Sequence, residues 1–76
     1  MDRQQIDQLW FSFQDIPGVA LKLNDSVRIT TGKHAGAYAS VIALIAREPE
    51  PIYLIEHGAT GQDLELPESA LSPAEE

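Results

Sequence analysis

Val27-Arg28-Ile29-Thr30-Thr31-Gly32-Lys33-His34-Ala35-Gly36-Ala37-Tyr38-Ala39-Ser40-Val41-Ile42 reads as strand, glycine-bounded loop, strand. Val27 and Ile29 fall on one side of an extended chain and Arg28 and Thr30 on the other, the period of a half-buried strand. Beyond the loop, Ser40 to Ala46 loses that alternation and is apolar on both sides. Such a run predicts a long, curved central strand covered on both faces.

Outward from this stretch the punctuation is clear. Arg47-Glu48-Pro49-Glu50-Pro51 breaks the apolar run, because prolines cannot donate to a ladder and the charges favour solvent. Ile52 to His57 reads as the next strand, and Gly58-Ala59-Thr60-Gly61 as a turn into Asp63-Leu64-Glu65-Leu66, with the two leucines inward and the acids in water. Pro67 ends the pairing, and Glu68-Ser69-Ala70-Leu71 makes one helical turn. Towards the N-terminus, Ile6, Leu9, Trp10, Phe13 and Ile16 share one stripe, which predicts an amphipathic helix over residues 2–16. Asp2 is its expected N-cap, with Gln5 three residues on, and Pro17-Gly18 its stop. The helix is expected to cover the outer face of the Ser40–Ala46 strand. Val19-Ala20-Leu21-Lys22-Leu23 is an apolar lead-in to the sheet.

Asn24-Asp25-Ser26 ahead of a short alternating strand, then Gly32-Lys33, Gly36, the small residues Ala37 and Ala39, and Val41 resemble the KOW motif of SH3-like barrels. The motif covers roughly residues 25–42, and Ala39 stands where such motifs usually carry glycine. The resemblance implies a mainly β fold: a small SH3-like five-stranded barrel preceded by the N-terminal amphipathic α-helix. It also implies a short closing strand at Leu71-Ser72. One domain over 1–76 results, with the helix at 2–16, the barrel at 19–72 and a flexible acidic tail at 73–76. Translation and transcription factors belong to that family, and small acidic SH3-like domains also serve as accessory subunits. The implied alternative is therefore an RNA-, ribosome- or transcription-associated module using Arg28, Lys33, His34 and Tyr38 as a small cationic and aromatic surface.

Composition bears on both readings. A chain of 76 residues is near the size at which only about 60% of the unfolded surface is buried, so its core is thin. It has no cysteine, hence no disulfide and no thiol chemistry, which fits a reducing, cytoplasmic setting. The start lacks the basic and apolar regions of a secretion signal, and no stretch approaches the roughly 20 apolar residues of a membrane span. The formal net charge of −7 repels polyanions and disfavours nucleic acid as a partner.

Catalytic and metal-binding patterns are weak. His34 and His57 are the two histidines and lack a compact ligand spacing, so no metal and no cofactor is expected. Glu56, Asp63, Glu65 and Glu68 read as a solvated acidic face. Ser40 and Ser69 have no adjacent base to activate them. Gly32-Lys33-His34-Ala35-Gly36 is not a phosphate loop, since that pattern needs its lysine after the second glycine, at the start of a helix. The expectation is a protein that is not an enzyme.

Aromatic residues carry the sharper signal. Trp10, Phe11 and Phe13 lie together on the helix, and Phe11 falls off its apolar stripe, so it either stays in water or tucks against Val19 or Leu21 after the turn. The expected function is a protein-interaction module that self-associates or docks on a larger protein through these three residues.

Overall fold

The computed structural model of the chain describes residues 2–74. Helix α1 runs Arg3–Phe11, and its start is the expected one. The Asp2 carboxylate accepts the Gln5 N–H at 2.9 Å, while the Gln5 side-chain oxygen accepts the Asp2 N–H at 3.1 Å. This reciprocal capping box satisfies two of the free donors of the first turn.

The end of α1 corrects the predicted span of 2–16. Phe13 adopts φ 61°, its N–H bonds to the Trp10 carbonyl at 3.2 Å, and the Gln14 N–H reaches back to Leu9 at 2.9 Å. Those two bonds around a left-handed residue form a Schellman cap, which stops the helix before Pro17 is reached. Pro17-Gly18 instead makes the tight reversal in which the Val19 N–H bonds to Ile16 at 3.0 Å. Val19–Leu23 is not a strand; Leu21 is buried, and Lys22 to Asp25 form a turn held by the Asp25 carboxylate, which accepts the Lys22 N–H at 2.8 Å.

Five strands follow: β1 (Ser26–Ile29), β2 (Tyr38–Ala46), β3 (Ile52–His57), β4 (Asp63–Pro67) and β5 (Leu71–Pro73), with a 3-10 turn, Glu68–Ala70, before the last. All pair antiparallel in one sheet of order β4-β3-β2-β1-β5. The chain is thus mainly β with one N-terminal helix. Among the described residues no ladder joins β4 to β5, so the sheet is open where the expected barrel would be closed. Two residues of the predicted flexible tail are held by the sheet: Pro73 lies in β5 and the Ala74 N–H bonds to Ser26 at 3.0 Å. The rest of the predicted tail, residues 75 and 76, falls outside the described residues.

The apolar run of β2 has a different cause from the one expected. Register shifts between Val41 and Ala43 and between Leu44 and Ala46 mark two irregularities in its pairing with β3. Each extra residue resets which side chain faces inward. Ala39, Val41 and Leu44 are buried, while Tyr38, Ser40 and Ile45 are exposed on the other face. The helix therefore does not cover that outer face. Ile6 and Trp10 join Val27, Ile29, Val41, Leu44, Tyr53 and Ile55 in one core, with the Trp10 and Tyr53 rings 6.2 Å apart. Arg3 ties the helix to the sheet, its guanidinium donating to the Leu44 carbonyl at 2.6 Å.

Tyr53 is the hub of that core. Its ring is fully buried, its hydroxyl donates to Glu68 at 2.7 Å and accepts the Leu21 N–H at 3.4 Å, and Glu68 also accepts the Ala20 N–H at 3.1 Å. Three segments far apart in sequence meet there. Burial, together with the Glu68 hydrogen bond, pushes the Tyr53 hydroxyl well above its ordinary pKa of 10.0.

Candidate functional site

The three aromatic residues expected to act together are split by the helix cap. Trp10 is only 3% exposed and belongs to the core, so it is not a surface anchor. Its buried indole N–H has no hydrogen-bond partner among the described residues. Phe11 is 64% exposed and does not tuck against Val19 or Leu21. Phe13, placed by helical spacing on the buried stripe, is 54% exposed because the left-handed cap takes it off that helical spacing.

Two phenylalanines thus stand in water two residues apart at the C-terminal end of α1. A shallow groove of about 540 Å³ along the solvent face of the helix is lined by Arg3, Gln4, Asp7, Gln8 and Phe11. Two residues beyond Phe13, Asp15 forms an exposed ion pair with Lys22 at 2.7 Å. The hydrogen bond and charge of Lys22 hold the Asp15 carboxyl below its ordinary value, and Asp15 in turn raises the Lys22 ammonium. Both groups are solvated, so the pair adds little to stability.

Phe13 also occupies a position that a side chain makes costly. A left-handed residue with a Cβ costs roughly 1–2 kcal/mol, which is why the residue at this point of a helix cap is usually glycine. The other described non-glycine residue with positive φ is Asn24, a type that tolerates it. Nothing in the helix and loop pattern of the sequence signals the cap, because the expected glycine is absent from it.

The second predicted group is partly assembled. Arg28 and Tyr38 lie directly opposite each other on β1 and β2, both on the exposed face, with Tyr38 60% exposed. Lys33 is exposed in the loop between those strands and has no hydrogen bond or ion pair from its side chain among the described residues. His34 packs edge-on against His57, ring centroids 5.3 Å apart, and its Nε2 is buried without a partner among the described residues. The His57 Nδ1 accepts the Ala59 N–H at 3.2 Å. Among the described residues no group of three histidine, cysteine, aspartate or glutamate side chains could hold a metal ion. Among the described residues no helix is long and apolar enough to cross a membrane.

No protein-family model, no curated protein and no solved structure matches this chain.

Proposed function

We propose that this chain is a non-enzymatic, SH3-like protein-interaction module that docks on a larger protein through Phe11 and Phe13. Two features support the SH3-like part: the last strand returns beside the first, and a single 3-10 turn precedes it, as the KOW-like stretch implies.

The observation that carries the docking role is Phe13: a phenylalanine held in left-handed backbone with more than half its surface in water. The left-handed backbone serves the helix cap, but the cap asks for no aromatic ring, and more than half of the Phe13 surface gains nothing by burial in this chain. Glycine would fill this cap without a Cβ penalty, so the choice of phenylalanine there favours a use for the ring. Large rigid rings are the preferred anchors of protein interfaces. With a net charge of −7 on the chain, the partner that fits is an apolar pocket with a basic rim.

Phe11→Asp tests the proposal. The variant keeps its fold, because the ring touches little of the core, and loses the partner that the wild-type chain retains in affinity capture. Unchanged capture by a folded Phe11→Asp variant would remove the docking role. A wild-type dimer in sedimentation that the variant dissolves would overturn the reading of a larger partner in favour of self-association.

A further inference from the structure

The open sheet has two ends, and they differ. β5 spans three residues and finishes in Pro73, which carries no N–H. β4 is longer, and the direction of its backbone groups follows from one hydrogen bond. The His57 N–H donates to the Gln62 carbonyl at 2.8 Å, which makes that a bonded pair of the β3–β4 ladder. Bonded and unbonded pairs alternate along an antiparallel ladder. Ile55–Leu64 and Tyr53–Leu66 are then bonded pairs, and Glu56–Asp63 and Leu54–Glu65 unbonded ones. The Glu68 N–H bond to Pro51, at 2.8 Å, continues the same alternation. Asp63 and Glu65 therefore turn both N–H and C=O away from β3, to the side where the sheet ends.

Side chains alternate along the same edge. Leu64 and Leu66 are half-buried against the core, while Asp63 and Glu65 are exposed. Glu56 stands opposite Asp63 in an unbonded pair, where side chains approach most closely. Two carboxylates directly opposite each other repel, and neither takes part in an ion pair among the described residues.

We infer that the β4 edge accepts an extended segment of another protein as a sixth strand, one in which lysine or arginine alternates with apolar residues. The free N–H and C=O groups of Asp63 and Glu65 form the ladder with it. Its cations lie beside Asp63 and Glu65, and the one next to Asp63 offsets the repulsion from Glu56 across the ladder. Its apolar residues extend the row of Leu64 and Leu66. A second copy of this chain fits poorly, since β4 against β4 opposes carboxylates and β5 offers Leu71, Ser72 and Pro73 without a cation. Charge on an edge strand guards it against indiscriminate pairing, and a basic strand is the kind that this guard admits. The inference uses none of the residues of the aromatic patch and stands or falls apart from it.

The test takes the full chain and a synthetic ten-residue peptide of alternating lysine and valine, titrated at low salt and followed by amide NMR. The expected result is saturable binding, with the largest shifts and newly slowed hydrogen exchange at the Asp63 and Glu65 amides. A peptide of the same composition with its lysines in one block binds roughly tenfold more weakly or worse. So does the alternating peptide N-methylated at the residues facing β4, which keeps its charge but loses the ladder. Glu65→Pro removes one open-side donor and a carboxylate but no bond to β3, so it weakens binding more than Glu65→Gln, which removes the charge alone, while both chains stay folded. Equal binding of all three peptides to the wild-type chain, shifts centred away from β4, or no binding would each overturn the inference.

Discussion

Replacing Phe13 by alanine and, separately, by glycine isolates the backbone at the helix cap, because both changes remove the same ring. At an ordinary position the glycine variant is the less stable, by roughly 0.5–1 kcal/mol, since glycine loses more freedom on folding. At φ 61° the alanine retains the Cβ that left-handed backbone penalises by roughly 1–2 kcal/mol. The difference inverts: Phe13→Gly is expected to be more stable than Phe13→Ala by roughly 0.5–1 kcal/mol. For a domain of this size that is roughly 2–8 °C in Tm. Thermal melts of the two variants by circular dichroism, supported by urea titrations, measure it. An alanine variant that melts above the glycine variant would refute the cap geometry, and with it the argument that Phe13 is held in place at a cost.

Tyr53→Phe strands the buried Leu21 N–H and is expected to cost about 1–3 kcal/mol in urea unfolding. The Tyr53 pKa is raised in the folded chain, so its contribution is fully present below pH 10.0 and is lost as pH rises above it. Wild-type stability therefore falls in that alkaline range, and the part of the slope due to Tyr53 disappears in Tyr53→Phe. A Cβ added at Gly58 would lie 2.9 Å from the Tyr38 carbonyl oxygen, so Gly58→Ala lowers Tm by several degrees; an unchanged melt contradicts the packing of that turn. Labelled single-stranded RNA is expected not to bind at about 0.15 M salt. Salt-dependent binding that Arg28→Gln weakens would support the Arg28–Tyr38 surface instead.

Local pattern carried most of the strands. Alternation at Val27 and Ile29, the prolines of residues 47–51 and the glycines of 58–61 are signals that act within a few residues, and β1, β3, β4 and the 3-10 turn stand where they point. β2 was legible as a strand, but its two register shifts hid which side chains face inward, since an irregular ladder converts alternation into an apolar run. The length of α1 was illegible because Phe13 fills a cap that glycine normally announces. Helical geometry put Phe11 off the apolar stripe but left open whether it tucked against Val19 or Leu21, whereas the exposure of Phe13 depended on the cap. Which strand ends the sheet was beyond local reading altogether, because β5 pairs with β1 across more than forty residues of chain. The acidic residues Asp63 and Glu65 were visible as a solvated face, and only the topology shows them to be an edge.

Phe11 and Phe13 are proposed as the contact through which this chain meets a larger protein. The most direct measurement is quantitative affinity capture from the cells that produce the chain, comparing the wild-type chain with a folded Phe11→Asp, Phe13→Gly double variant. A specific protein is expected to be retained by the first and depleted at least roughly tenfold by the second. Equal recovery by both chains would contradict that role.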